Sequence, residues 1–209
     1  RVNKISKFIF ASSGAPVGEV DPPIHEEITP HPVSPYGASK LAGEGYCSAY
    51  KKTFGLDTVA LRFGNVYGPG SVHKSSVIAK FIKKAIDGKT LEIYGDGAQT
   101  RDFIYIDDLI DAIILASKKD NIGGEIFQIA SNKEITISEM TNKLIKELKL
   151  QGIKNVLIKN SSKRTGDVRR NFSNTSKAKN YLGWNTKVNL EKGLSKTVKY
   201  FIKNKGAIK

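Results

Sequence analysis

The chain has one cysteine, Cys47, which excludes an intramolecular disulfide framework and suits a reducing compartment. It falls among Gly43, Tyr46, Ala49 and Tyr50 on an expected helix, where a small core residue is the ordinary role. No apolar run is long enough to span a bilayer, and the opening Arg1-Val2-Asn3-Lys4 lacks signal-peptide architecture. The expectation is a soluble, cytoplasmic protein without a membrane partner. Zinc-finger spacing, aromatic RNA-binding motifs, low-complexity basic tails and internal repeats are also missing, so neither a metal site nor a nucleic-acid partner is expected.

What the chain does have is length and charge. Its 209 residues, 39% of them hydrophobic, can bury one large or two small cores. The formal charge of +14 first suggests nucleic acid, but its distribution changes that reading. Residues 1–142 hold 16 Lys/Arg against 17 Asp/Glu, whereas residues 143–209 hold 18 against 3. The excess therefore sits in the C-terminal third, much of it at helical spacing, as in Lys143, Lys146 and Lys149. Such spacing describes a solvated helix face whose lysine stems cover apolar surface. It also suits recruitment of a phosphorylated small molecule.

Apolar runs at Lys7–Ala11, Thr58–Phe63, Leu91–Tyr94, Glu125–Ala130 and Val156–Ile158 read as strands. Helices are expected from about Ser34–Tyr36 to Phe54 with Gly55 as the stop, then over about 76–87 and 109–118. Thr136-Ile137-Ser138-Glu139 has the form of a capping box for a helix through Leu148, and a last helix spans about Leu190–Lys203. Residues 15–35 and 64–70 read as loops. Alternating strands and helices predict an α/β protein with a parallel sheet. A dinucleotide-binding sheet normally opens with a Gly-rich phosphate turn, yet no Gly-x-Gly-x-x-Gly or Gly-x-x-Gly-x-x-Gly occurs.

Pro35-Tyr36-Gly37-Ala38-Ser39-Lys40 is the most informative stretch. Tyr36 and Lys40 are four residues apart at the start of an expected helix, so both side chains share one face. An ammonium beside a phenol favours the phenolate, the form able to take a proton. Two unrelated residues on an amphipathic helix would show the same spacing, so context decides.

That context resembles the extended short-chain dehydrogenase/reductase family, in particular its NAD-dependent nucleotide-sugar epimerases typified by UDP-glucose 4-epimerase. The resemblance covers nearly the whole chain. It rests on Phe8–Ser13, Ser34–Lys40, Leu61-Arg62-Phe63-Gly64-Asn65-Val66-Tyr67-Gly68-Pro69, Gly95–Phe103, Arg164-Thr165-Gly166-Asp167 and Leu182-Gly183-Trp184. It implies the C-terminal part of a Rossmann-type parallel sheet plus a smaller α/β substrate-binding domain. Residues 1–70, with a return at about 98–131, would belong to the cofactor domain, and 71–97 with 132–209 to the substrate domain. Tyr36 would be the base, Lys40 the nicotinamide-ribose ligand, and Ser13 the donor to the reacting oxygen, with NAD regenerated each cycle. Ser12 would sit beside the cofactor, unless it only caps the strand end, and Phe63 would border the cofactor unless it is a core residue. Asn65 would donate to the pyrophosphate of a UDP- or dTDP-sugar, or form a local turn. Arg101 and Arg164 would clamp the diphosphate, the alternative being ion pairs with Asp102 or Asp167. Asp167 would accept from the nucleotide ribose and Tyr94 would border the base. A homodimer through the Tyr36 helix is implied as well.

The departures narrow the reaction. Nucleotide-sugar 4,6-dehydratases carry an acidic pair after the serine or threonine, where Gly14 and Ala15 stand here and cannot transfer protons. Epimerase is therefore expected above dehydratase, with a non-catalytic half-Rossmann scaffold as the other alternative. Pro16-Val17-Gly18 and Ser75-Ser76 also differ from the usual loop residues, which leaves the sugar open. Because the Gly-rich turn and the first four strands of the family's sheet have no counterpart, the chain is expected to be a fragment, unable alone to bind NAD tightly.

Overall fold

The computed structural model describes residues 2–163 and 168–205. Strand β1 (Lys7–Ser13) leads through a 3-10 turn at Ala15–Val17 and an extended loop to helix α1 (Pro35–Phe54). Ser34 caps α1, accepting from Gly37 N at 3.0 Å, and Pro35 fills its first position. Gly55 ends it in the left-handed region at φ 68°. Strands β2 (Asp57–Phe63) and β3 (Asn65–Tyr67) follow, then α2 (Val77–Ile86) and β4 (Leu91–Tyr94). Next come β5 (Thr100–Arg101), β6 (Phe103–Tyr105), α3 (Ile106–Lys118) and β7 (Ile126–Ile129). The chain closes with β8 (Ile135–Thr136), α4 (Ile137–Leu150), β9 (Ile158–Ser161), α5 (Ser176–Leu182) and α6 (Leu190–Lys203).

The main sheet is parallel, in the order β1-β2-β7. Its register aligns Ser12 with Arg62 and Arg62 with Gln128, one row across three strands. Among the described residues the outer edge of β1 pairs with no strand. Helix α1 covers one face of this sheet. The other face is a core of Val59, Leu61, Phe127 and Ile129 packed on Leu109, Ala112 and Ala116 of α3. A second core gathers Ile78, Phe81 and Ile82 of α2, Met140, Leu144 and Leu148 of α4, and Leu194, Val198 and Phe201 of α6 around β4 and β6. Strands β3 and β6 pair in parallel between the two cores. The chain returns to the first core twice, with α3 and β7 and again with Ala178, Leu182 and Trp184 in the C-terminal third. Among the described residues no helix is long and apolar enough to cross a membrane.

Several boundaries differ from the sequence reading. Residues 65–67, read as loop, form β3 because β6 supplies the ladder that a glycine-rich stretch cannot predict. The strand expected at Val156–Ile158 lies at Ile158–Ser161, in register with Leu91–Tyr94. Helix α3 starts at Ile106, three residues early, with Asp107 and Asp108 in its first turn, where carboxylates favour the helix N-terminus. The seven-residue α5 carries too little periodicity to be read.

Two buried carboxylates hold the crossings. Asp102 is fully buried and accepts from Ser131 N and Oγ at 2.6 Å, Asn132 N at 3.0 Å and Ser173 N at 3.2 Å. Burial pushes its carboxyl above the usual range while these donors pull the other way. Asp108 accepts from Lys187 N and Val188 N, which fixes the segment leading into α6.

On the surface, Arg169 binds Asp96 through Nη1 and Nη2, at 2.9 and 3.1 Å, and ties the Gly95–Gly97 turn to a segment 73 residues further along the chain. That bond lowers the Asp96 carboxyl from 3.8 to about 2. A depressed folded-state value means the pair's stabilisation is present above the unfolded value and lost as pH falls through about 2. Carboxyl-detected NMR should give Asp96 a midpoint near 2, returning towards 3.8 in Arg169→Ala; an unchanged midpoint in the variant would refute the pairing.

Candidate active site

The carboxyl ends of β1 and β2, with β3, form one wall of a cavity of about 660 Å³. Open parallel sheets bind ligands at this end, where strands stop and loops diverge. Ser12, Ser13 and Phe63 line this wall with Asn65, and Tyr36 enters from the first turn of α1. The facing wall comes from α2 and β4, with Lys80, Glu92 and Tyr94, and Arg101 closes one side. The structure therefore brings together Ser12, Ser13, Tyr36, Phe63, Asn65, Tyr94 and Arg101, which the sequence scatters over 90 positions. Arg164 and Asp167 lie outside the described residues.

Tyr36 is 56% exposed at the cavity mouth. The Lys40 ammonium lies 5.6 Å from its ring centroid and 5.1 Å from that of Phe10, and donates to the Ala11 carbonyl at 2.9 Å. The shared helix face expected from the spacing is realised. Gly37 makes the approach possible: a Cβ there would sit 2.6 Å from the Ala15 carbonyl oxygen, so any side chain would push α1 off the loop after β1. At the end of β1, Ser13 Oγ accepts from Ala15 N at 3.2 Å, which leaves the Ser13 hydroxyl hydrogen to donate elsewhere.

Behind this row lies a buried cluster that the sequence reading missed. Glu44, two turns beyond Tyr36 on the same face of α1, is 3% exposed. It accepts from Ser12 Oγ at 2.6 Å and takes Arg62 bidentately, through Nε at 2.8 Å and Nη2 at 2.7 Å. The Ser12 hydroxyl proton is thus directed to Glu44, although Ser12 still lines the cavity. An arginine within the apolar strand Thr58–Phe63 was the signal, since a buried guanidinium demands a partner.

Arg101 was expected either on the diphosphate or paired with Asp102. The structure excludes that pairing: neighbours along an extended chain point to opposite sides, and Asp102 is consumed in its own buried network. Arg101 Nη1 donates to the Thr100 and Val168 carbonyls at 2.6 and 2.8 Å. Gln99 fixes the β4 end by donating from Nε2 to the Tyr94 carbonyl at 2.8 Å. Phe63 lines the cavity and also packs on the first core.

A parallel sheet with a cavity at its carboxyl ends, entered by Tyr36 with Lys40 beside its ring, defines a Rossmann-type α/β protein. Residues 1–130 match the NAD dependent epimerase/dehydratase family, and the chain belongs to it. It is 32% identical to the UDP-glucose 4-epimerase of Mycolicibacterium smegmatis and 35% identical to a putative UDP-glucose 4-epimerase of Methanocaldococcus jannaschii. Each alignment covers 96% of this chain and 64% of the relative, so the chain spans under two thirds of their length. Among solved structures it resembles the UDP-glucose 4-epimerase of Thermotoga maritima with UDP-glucose, at TM-score 0.88 and 36% identity over 96% of this chain and 65% of that one. It also resembles the UDP-glucuronic acid 4-epimerase of Bacillus cereus with UDP-glucuronic acid and NAD, at TM-score 0.86 and 33% identity over 96% and 63%. The family is NAD-dependent.

Removing Glu44 would strand the Arg62 charge in the core beneath the site. Glu44→Ala should destabilise the fold by about 3–5 kcal/mol in urea denaturation, as breaking one side of a buried pair does. A loss below about 1 kcal/mol would show that the pair does not lock α1 to the sheet.

Proposed function

We propose that this chain carries the substrate side and the proton-transfer groups of an NAD-dependent nucleotide-sugar 4-epimerase of the UDP-glucose/UDP-galactose type. The observation that carries this reading is that Tyr36, with the Lys40 ammonium beside its ring, and Ser13 line one cavity large enough for a nucleotide sugar. Tyr36 takes the proton from the sugar hydroxyl and returns it, and Ser13 donates to the same oxygen. Lys40 supports the phenolate by its charge and is placed for the nicotinamide ribose, with Phe63 and Ser12 bordering that end. NAD, when bound, supplies the hydride acceptor and donor. Asn65 and Arg101, with Arg164, hold the diphosphate; Asp167 takes the ribose and Tyr94 borders the base.

Gly14 and Ala15 favour epimerase over 4,6-dehydratase, because neither can protonate a leaving hydroxyl. The residues present fit the nicotinamide end of NAD. The Gly-rich phosphate turn for its other end is not in this sequence, so we infer that the functional protein has a further segment that supplies it. The division into a cofactor portion (1–70 with 98–131) and a substrate portion (71–97 with 132–209) is supported by the two cores, apart from Ser176–Trp184, which joins the first, and Tyr67, Phe103 and Tyr105, which join the second. Exposed Tyr46, Tyr50 and Phe54 on α1 support a homodimer through that helix.

In the complete protein, Tyr36→Phe should lower conversion of UDP-glucose to UDP-galactose by at least about a hundredfold, the scale of a general base, while leaving nucleotide-sugar binding intact. Turnover at the wild-type rate would remove Tyr36 from the chemistry. Isothermal titration of NAD into the 209-residue chain alone should show no tight binding; micromolar affinity would contradict the need for a further segment.

A further inference from the structure

The cavity has a cation whose role the proposed mechanism leaves open. Lys80 lies on α2, one turn beyond the N-cap Ser76, half-buried in the cavity wall. Its Nζ stands 5.5 Å from the ring centroid of Tyr94, which lines the same wall. Lys74 also lines the cavity, but as an exposed side chain, and three other basic groups nearby are engaged. Lys84 pairs with Glu92 at 3.8 Å, Lys83 donates to the Lys74 carbonyl at 2.8 Å, and Arg101 donates to two carbonyls. Among the described residues no carboxylate pairs with Lys80. Glu92, the one carboxylate among the described lining residues, is occupied by Ser161 Oγ at 2.6 Å, Lys159 at 3.6 Å and Lys84.

A half-buried ammonium without a counter-ion retains part of its desolvation cost, and an aromatic face returns only a fraction of it. An anionic oxygen within the cavity would return the rest. We propose that Lys80, held in place by the Tyr94 ring, is an anion-binding residue of this cavity. It pairs with an oxyanion of the bound substrate, either a phosphate oxygen of the nucleoside diphosphate or the carboxylate of an acidic sugar. This inference rests on the nucleotide-sugar reading of the cavity. The Tyr94 ring attracts the ammonium to this wall, which reduces the rotamer freedom it would lose on meeting the ligand.

The test titrates UDP, UDP-glucose and UDP-glucuronate into the complete protein and into its Lys80→Met variant, which keeps a side chain of similar length and removes the charge. Lys80→Arg serves as the conservative variant, and thermal unfolding checks that each variant folds. About tenfold weaker binding of all three ligands to Lys80→Met, largely restored in Lys80→Arg, assigns Lys80 to the diphosphate. A loss confined to UDP-glucuronate assigns it to a sugar carboxylate, and either result supports the proposal. Unchanged affinities in Lys80→Met, with wild type binding normally, overturn it and leave the nucleotide-sugar reading standing. Wild type binding none of the three ligands overturns that reading, and the proposal with it.

Discussion

Glu44 and Arg62 form the contact on which the arrangement of the site depends. A carboxylate from α1 and a guanidinium from the centre of the sheet meet in a volume that water does not reach, with both side chains 2% exposed or less. Charges in such a place cost several kcal/mol each unless geometry and hydrogen bonds compensate. Here the fork is bidentate, and the remaining capacity of Glu44 goes to Ser12. One side chain thereby references α1 to β1 and to β2 at once. Tyr36 and Lys40 ride on the same helix face two turns and one turn earlier, so the clamp also sets where they stand relative to Ser13.

The second core supplies what the sheet cannot. Strand ends alone leave an open shelf, and α2 with β4 turns that shelf into a cavity. The position of this wall is fixed by polar contacts at its seams. Asp102 gathers Ser131, Asn132 and Ser173, Gln99 holds the Tyr94 carbonyl, and Asp108 anchors the approach to α6. The Asp102 and Asp108 seams join segments distant in sequence. The diphosphate groups proposed for this site, Asn65 and Arg101, lie between the cores, where a ligand would touch both.

Much of the fold was legible because it is written in local rules. The bounds of α1 followed from Ser34-Pro35 at one end and Gly55 at the other, and those of α6 from a stripe of Leu190, Leu194, Val198 and Phe201. The Thr136 cap was legible too, its hydroxyl accepting from Glu139 N. Strand β3 escaped because its three residues owe their conformation to β6, and α5 because seven residues show no clear period. Within the site, Tyr36 with Lys40 could be read from spacing. Glu44, Lys80 and Glu92 could not, since each matters through a neighbour on another element. Arg101 shows the opposite failure: adjacency to Asp102 suggested a pair that backbone alternation forbids.

The sequence by itself determined the alternation of strands and helices, the caps, the apolar faces and the one helix face shared by Tyr36 and Lys40. These are matters of periodicity and of which residue tolerates which backbone angle, and they need no partner. Only the tertiary structure decided that Ser12 and Ser13 would meet Asn65, Tyr94 and Lys80 around one cavity, and that Arg62 would find Glu44. Those meetings depend on parallel crossovers and on the free energy of burying charge. Both exist only once the elements have packed.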